Sequence, residues 1–323
     1  MNTLKRLLCG LAVSAVCSGA SLAADGYPSQ PITLVNPYAA GGPADVLGRA
    51  LARELEKQLG KTVIVENKAG GGAAIGANFV ARAKPDGYTL LLGTSAAHVV
   101  TPLMQQTAYD GIKDFAFVGI VANQPNMLVV RSSMPVSTLP ELIALARKEP
   151  GKINYASAGP GSSPHLGGEL FRQQAKVDIM HIPYSGAAPA INDLVGGQVD
   201  MAVLNLAASV QFIRSGKLKA LAYANPKRSA LFPDVPTLAE AGVSGAESAS
   251  WYSLAAPKGT PPQVLETLNK AVQAVNQSPE YRKLMDAQGV ELWTMTPQEA
   301  TQFVEKDQVA MRKLVEGAGL LKK

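Results

Sequence analysis

Short runs of β-branched and aliphatic residues alternate along the chain with amphipathic stretches at helical spacing. The clearest helix begins at Pro43 and ends before Gly60. Its apolar residues follow a 3.6-residue period: Val46, Leu47, Ala50, Leu51, Leu55 and Leu59. Strands are predicted near residues 32–36, 62–66, 89–93, 117–121, 127–131, 153–156, 179–182, 201–204, 218–222 and 253–256. This alternation predicts an α/β fold with mainly parallel sheets covered by helices on both faces.

The series of strands is interrupted twice, which favours two sheets over a single sheet of ten strands. The first break lies around residues 123–125 and the second around residues 247–250. Beyond residue 261 the pattern is helical, and helices without strands must pack on an existing sheet. We therefore predict a discontinuous lobe one, residues 24–125 and 250–323, and a lobe two, residues 126–249, joined by two crossings of the chain.

The first 23 residues have the pattern of a cleaved signal peptide. Lys5 and Arg6 precede an apolar run at residues 7–20, and residues 21–23 fit the small-x-small rule, so cleavage is predicted after Ala23. A retained membrane anchor is the competing interpretation, but the run is shorter than the roughly 20 residues that span a bilayer. The mature chain is therefore predicted to be exported.

Both cysteines of the chain, Cys9 and Cys17, lie inside this leader. The mature protein then has no disulfide and no thiol chemistry, and its stability must come from core burial. Without Lys5 and Arg6 it carries 28 basic and 25 acidic side chains and no basic cluster. Nucleic acid is therefore excluded as a predicted partner.

Three strand-to-helix turns combine small residues with a proline near the first helical position. They lie at residues 38–45, 158–165 and 183–190. Glycine lets backbone approach a ligand closely, serine adds hydroxyl donors, and a helix start presents unpaired N–H groups with partial positive charge. Such turns suit an anion. One turn belongs to lobe one and two belong to lobe two, so they are expected to meet at a cleft beside the carboxyl ends of the strands.

Each of these turns also has a purely structural interpretation, because Gly, Ser and Pro are common in any strand-to-helix turn. Asp45 either satisfies N–H groups of its own helix or pairs with a ligand ammonium or hydroxyl. Tyr38 and Tyr184 either line a pocket or pack in the core. Asp200 precedes a strand and is interpreted as a structural hydrogen-bond acceptor.

The glycine-rich segment at residues 66–77 invites a nucleotide interpretation, which the sequence disfavours. Ile75 stands where G-x-G-x-x-G, counted from Gly70, requires glycine, and the chain has no G-x-x-x-x-G-K-[ST] segment. Three scattered histidines also argue against a zinc site. We predict no cofactor and no metal.

A serine hydrolase is the alternative from a different functional class. Residues 93–97 resemble G-x-S-x-G at the end of a strand, with alanine in place of the final glycine. An α/β-hydrolase expects its histidine near the chain end, whereas the three histidines are His98, His165 and His181. We therefore favour Ser95 as a hydroxyl donor to a ligand over Ser95 as a nucleophile.

Five blocks of the chain resemble the Bug (TctC-type) extracytoplasmic receptors of tripartite tricarboxylate transporters. They are ITLVNPYAAGGPADVLGRALA, VIVENKAGGGAAIGANFVARAKPDGYTLLLGTSAAHVV, ASAGPGSSPHLGGELF, HIPYSGAAPAINDLVGGQVD and WYSLAAPKGTP. The resemblance implies a two-lobed type II periplasmic binding protein (Venus flytrap), monomeric and non-enzymatic. It would close on a small-molecule carboxylate in the periplasm and deliver it to the membrane permease subunits. A ligand sensor for a signalling partner is the alternative with the same cleft.

Carried over by position, the resemblance implies a set of ligand-binding residues in the turns described above. They are Tyr38, Ala39, Gly41, Gly42, Asp45, Ser95, His98, Gly161, Ser162, Ser163, His165, Tyr184, Ser185, Gly186 and Asn205. Ala39 and Ala40 depart from the pattern, because many members carry proline or another residue there. The identity of the carboxylate stays open.

Overall fold

The computed structural model describes residues 26–322, so the predicted signal peptide lies outside the described residues. The strands are β1 (Ile32–Asn36), β2 (Val63–Asn67), β3 (Thr89–Thr94), β4 (Phe115–Arg131), β5 (Asn154–Ser157), β6 (Met180–Pro183), β7 (Met201–Asn205), β8 (Leu218–Tyr223), β9 (Ala249–Pro257) and β10 (Glu291–Leu292). The helices are α1 (Pro43–Leu59), α2 (Ala74–Ala81), α3 (Thr101–Met104), α4 (Leu139–Lys148), α5 (Ser163–Ala175), α6 (Ala187–Val195), α7 (Leu206–Arg214), α8 (Pro262–Gln277), α9 (Pro279–Asp286) and α10 (Pro297–Gly317). None of these helices is long and apolar enough to cross a bilayer.

The strands form one curled, mixed sheet in the order β2-β1-β3-β9-β4-β7-β5-β6, with β8 and β10 also paired to β4. The two sheets predicted from the sequence are therefore two halves of one sheet, because β4 pairs with strands of both. The pairs of β1 with β2 and β3, and of β5 with β6 and β7, are parallel. Strand β9 runs antiparallel to both β3 and β4. Because β9 begins only at Ala249 and pairs with β3, which ends at Thr94, the chain returns late to the first half of the sheet.

Strand β4 connects the two halves of this sheet and corrects one sequence prediction. The sequence predicts two strands, at residues 117–121 and 127–131, whereas β4 is continuous over 17 residues. Its first part pairs with β9 as far as Pro125, and its second part pairs with β7 and β8. Proline removes one ladder donor but its fixed φ is compatible with extended backbone, so the strand continues through Pro125.

The helix boundaries follow the local signals of the sequence. Helix α1 begins at Pro43, and Gly60 ends it in the left-handed region at φ 65°, with its N–H donated to the carbonyl of Glu56. The segment beyond residue 261 is helical except for β10, a two-residue strand that the sequence does not predict. It pairs with Ala122 and Asn123 of β4.

Both halves of the sheet are covered by helices on both faces, which gives a two-lobed α/β fold. In the first half, α1, α8 and α9 cover one face and α2 and α10 cover the other. In the second half, α4 and α5 cover one face and α6 and α7 the other. The late helices thus pack on the first half, as expected from the sequence. The lobe boundaries at residues 125/126 and 249/250 stay a prediction.

Candidate functional site

A small cavity lies between the two halves, at the ends of β3, β5, β7 and β9. Its lining combines hydroxyl and amide side chains with small residues of the helix starts: Tyr38, Gly42, Pro43, Ala44, Thr94, Ala158, Ser162, Pro164, Ala187, Asn205, Ser250 and Tyr252. None of these residues carries a charge at neutral pH. The free volume is about 20 Å³, room for about one water molecule. A larger ligand can enter only after the lobes separate.

Four helices begin at this cavity. Gly42 is the N-cap of α1, Ser162 of α5 and Asn205 of α7, and Ala187 is the first residue of α6. Only Ser162 caps its helix with its own side chain, accepting from the His165 N–H at 3.3 Å. The first-turn N–H groups of α1, α6 and α7 have no such cap, and an α-helix offers them no internal acceptor. These N–H groups therefore bring partial positive charge to the cavity, whose lining contains no cationic side chain.

Hydroxyl and amide groups complete the cavity on the side of the sheet. The Tyr38 hydroxyl lies 3.2 Å from Oγ1 of Thr94, and the Tyr252 hydroxyl donates to Oε1 of Gln124 at 3.1 Å. Gln124 is buried, and its Nε2 has no hydrogen-bond partner among residues 26–322. Burial raises the pKa of Tyr38 to about 12 and raises that of Tyr252 as well. Both tyrosines are thus neutral hydrogen-bond donors near pH 7.

The two lobes touch directly beside the cavity. The Ala39 N–H faces the carbonyl oxygen of Ser185 at 3.4 Å, which joins the first turn to the third. A Cβ placed on Gly41 would lie 3.8 Å from Cβ of Ala188, and one on Gly186 would lie 3.3 Å from Cβ of Ala39. The structure therefore represents a closed arrangement of the cleft.

The predicted ligand-binding residues fall into three groups. Tyr38, Gly42, Ser162 and Asn205 line the cavity. Ala39, Gly41, Ser185 and Gly186 lie in the contact between the first and third turns. The remaining seven lie outside the cavity lining.

Asp45 is used by its own turn. Its carboxylate accepts hydrogen bonds from the Gly41 N–H at 3.0 Å, from Nδ2 of Asn67 at 2.8 Å and from Nε of Arg49 at 3.0 Å. Burial opposes ionisation, but these bonds outweigh it and hold the pKa of Asp45 below its usual value. Asp45 therefore has a structural role, but its backbone donor is Gly41, which precedes the N-cap Gly42, and not an N–H group of its own helix as the sequence suggested.

His98 is buried in an aromatic environment formed by Phe115, Phe117 and Trp251. Its Nδ1 lies 2.7 Å from the Gly111 carbonyl oxygen, and its Nε2 lies 3.0 Å from Oγ of Ser253. Burial lowers its pKa to about 4, so the ring is neutral near pH 7. Both ring nitrogens are engaged within the protein.

The other predicted residues shape their turns or lie in a second cavity. Nδ1 of His165 accepts from the Gly161 N–H at 3.1 Å, and its ring stacks on His181. The Tyr184 hydroxyl donates to Asp193 at 2.7 Å. Ser95 and Ser163 line the second cavity, behind β9. Within residues 26–322, no group of three or more potential ligand side chains is arranged to hold a metal ion.

Several lining residues escaped the sequence reasoning. Thr94, Ser250 and Tyr252 lie at strand ends in segments without a glycine-rich turn. Thr94 pairs with Tyr252 across β3 and β9, although 158 positions separate them. The β3–β9 pairing therefore brings them together, and no local motif signals it.

Comparison with known proteins gives a consistent family match. The family model described as "Tripartite tricarboxylate transporter family receptor" matches residues 47–320. The periplasmic binding protein BugD is 37% identical, with a TM-score of 0.89 over 92% of this chain and 100% of that chain. Rpa4515 of R. palustris, solved with adipate, is 35% identical, with a TM-score of 0.88 over 91% and 98%. MatC of Rhodopseudomonas palustris, solved with bound malate, is 33% identical, with a TM-score of 0.85 over 90% and 100%. The fold class predicted from the sequence is confirmed.

Proposed function

Because the chain belongs to the Bug (TctC-type) family of tripartite tricarboxylate transporter receptors, we propose that it is an extracytoplasmic receptor for a small organic carboxylate. It traps this ligand between its lobes and delivers it to the permease subunits of such a transporter. It works in the periplasm as a monomer, after removal of the leader. The observation that carries the proposal is the convergence of four helix N-termini on an uncharged cavity.

These groups supply enough binding free energy to hold an anion without a guanidinium or ammonium partner. A helix terminus contributes roughly 0.3–2 kcal/mol to a nearby charge, and a hydrogen bond to a charged group about 1.5–3 kcal/mol. Several such contacts together reach the roughly −8 kcal/mol of a micromolar ligand. Gly42, Ser162 and Asn205 are assigned to the carboxylate through the helix starts that they cap.

The ligand is proposed to be a diacid. Two relatives were solved with adipate and with malate, both of which carry two carboxyl groups. The cavity offers helix N-termini on one side and neutral donors, Tyr38 and Tyr252, on the sheet side.

The serine hydrolase gains no support from the geometry. Ser95 and His98 are close in the chain, but both ring nitrogens of His98 are bonded to Gly111 and Ser253. A general base needs a free ring nitrogen within hydrogen-bond reach of its nucleophile. The matched family consists of solute receptors, not of enzymes.

Matched pairs of ligands test the proposal. Thermal unfolding is followed with adipate and malate, and with the neutral diamides adipamide and malamide. At a concentration one hundred times Kd, a bound diacid stabilises the protein by about 2.7 kcal/mol. The diamides should give no shift because they lack the charge that helix N-termini stabilise. Equal shifts with a diacid and its diamide would overturn the binding mode. Mass spectrometry of the molecule that co-purifies identifies the natural ligand. A co-purifying molecule without an acidic group would overturn the proposed ligand class.

A further inference from the structure

A second cavity lies on the opposite face of β9 from the ligand cavity. Successive side chains of a strand point to opposite faces, and along β9 Ser250 and Tyr252 line the first cavity while Trp251 lines the second. The start of α5 divides in the same way, with Ser162 in the first cavity and Ser163 in the second. The two cavities therefore lie back to back across the strands that join the lobes.

The wall of the second cavity on the side of lobe one is an aromatic cluster with a carboxylate. Phe303 of α10 contacts Trp251 and Trp293 edge to face, at centroid distances of 5.5 and 5.6 Å. Trp251 donates its indole N–H to Oδ2 of Asp307 at 3.0 Å. Burial raises the pKa of the Asp307 carboxyl, and the hydrogen bond from Trp251 opposes this rise. A cation placed here would restore part of the stabilisation that the carboxylate loses by desolvation.

The opposite wall comes from lobe two. Leu166 and Leu170 of α5 supply apolar surface, and Glu247 adds a second carboxylate. None of the described residues that line this cavity is Lys, Arg or His, although the mature chain has an excess of basic side chains. The free volume is about 310 Å³, at the lower end of the range of small-molecule sites. Aromatic faces with carboxylates and no base form the usual recognition surface for an organic cation.

We propose that this second cavity is a ligand site for a small organic cation with an apolar group, and that its occupancy strengthens diacid binding at the first cavity. The coupling follows from the shared strands. In this structure the first cavity has about 20 Å³ of free volume and the second about 310 Å³. A rotation about β4 and β9 that opens the first cleft brings the walls of the second together. An occupant of the second cavity opposes that rotation and favours the closed form of the first.

The cation site can be tested by fluorescence without any diacid. Trp251 and Trp293 are the two tryptophans of the chain, and both line the second cavity. The probe is 2-phenylethylammonium, and the matched neutral probe is 2-phenylethanol. We expect a saturable change in tryptophan emission with the cation and binding at least about tenfold weaker for the alcohol. No saturable change, or equal affinities, would overturn the site.

A charge-removing variant makes the test specific to the carboxylate. Asp307→Asn retains an oxygen that accepts from Trp251 and removes the charge. This variant should bind 2-phenylethylammonium about tenfold more weakly and should bind 2-phenylethanol with unchanged affinity. Circular dichroism checks folding, and Glu247→Gln takes its place if Asp307→Asn does not fold. Unchanged affinity for the cation in the folded variant would overturn the role of the carboxylate.

The coupling arm rests on the proposed function and is measured separately by calorimetry. Saturating 2-phenylethylammonium should tighten binding of malate or adipate about fivefold or more. Leu170→Trp fills the second cavity from α5 and should also tighten diacid binding. Unchanged or weaker diacid binding with saturating cation would overturn the coupling. If neither diacid binds at all, the proposed function fails while the fluorescence titration still decides the cation site.

Discussion

Gly72 lies directly against the backbone carbonyl of Pro160, across the cleft between the two lobes. Gly72 belongs to the 3₁₀ turn Gly71–Ala73 before α2, and Pro160 follows β5. A Cβ on Gly72 would overlap the Pro160 carbonyl oxygen and would lie 2.9 Å from Oγ1 of Thr101. Closure in the observed geometry therefore requires glycine at this position.

Gly72→Ala should impair closure and with it ligand affinity. The added methyl group forces the Pro160 carbonyl away, so the closed form loses stability relative to the open form. We expect about a tenfold rise in the Kd for a diacid, which corresponds to about 1.4 kcal/mol. Isothermal titration calorimetry with malate or adipate measures it.

Gly71→Ala is the matched control for this variant. Both residues have positive φ, 59° at Gly71 and 63° at Gly72, so both substitutions add similar backbone strain. The nearest atom to a Cβ on Gly71 is Cβ of Ala74, at 3.4 Å, within the same lobe. Gly71→Ala should therefore lower the stability of the protein similarly without weakening its affinity for the diacid. Equal losses of affinity in the two variants would show that the contact across the cleft is not responsible.

Much of the fold follows from local sequence signals, because the helices and strands here are strongly periodic. Pro43 and Gly60 mark the ends of α1, and the break near residues 247–250 marks the return of the chain to the first half of the sheet. Strand β4 was harder to predict. A proline commonly ends a strand, and only the partners β9, β7 and β8 show that this strand continues through Pro125.

The sequence predicts the part of the site that strand-to-helix turns form. It does not predict the part that long-range pairing of strands brings together. Gly42 and Ser162 belong to recognisable strand-to-helix turns. Tyr252 and Thr94 reach the cavity only through the long-range pairing of β9 with β3. Burial was equally hidden: the sequence places His98 next to Ser95, but the chain turns its ring into the aromatic core.

Tyr252→Phe should weaken diacid binding, because we expect the Tyr252 hydroxyl to donate to the bound diacid in place of Oε1 of Gln124. Loss of one hydrogen bond to a charged group costs about 1.5 kcal/mol, or roughly a tenfold rise in Kd. Tyr109→Phe is the control, because the Tyr109 hydroxyl is also buried and donates to the Ala97 carbonyl at 2.7 Å, away from the cavity. Both variants should lose stability, and Tyr252→Phe alone should lose affinity. Wild-type affinity in Tyr252→Phe would remove this residue from the site.

Asp45→Asn should destabilise the protein through the first turn. The uncharged amide accepts more weakly from the Gly41 N–H and from Arg49, so we expect a loss of about 1–3 kcal/mol in the free energy of unfolding. Asp234 is exposed, and Asp234→Asn serves as the control, which should change the free energy of unfolding by less than about 0.5 kcal/mol. Because the pKa of Asp45 is held below its usual value, the loss should shrink as pH falls through that pKa. Urea denaturation at pH 7 and pH 3 measures both effects.

His98 should make the protein less stable in mild acid. Burial lowers its pKa to about 4 in the folded state, against about 6.5 in the unfolded chain. The unfolded state therefore binds an extra proton between these values. Titration of His98 therefore leaves the free energy of unfolding unchanged above pH 6.5. As pH falls from 6.5 toward 4, it lowers this free energy by about 1.4 kcal/mol per pH unit.

His98→Gln isolates this contribution from that of the other titrating groups. Urea denaturation of wild type and variant is compared at several pH values between 6.5 and 4.5. The variant is expected to be less stable at pH 7, because it loses contacts with Gly111 and Ser253, but its stability should fall less steeply with acid. If it does not fold, His181→Gln provides the same comparison, since burial also lowers the pKa of His181 to about 4. Parallel pH dependences in wild type and variant would mean that His98 titrates with its ordinary pKa in the folded protein, and would contradict the prediction.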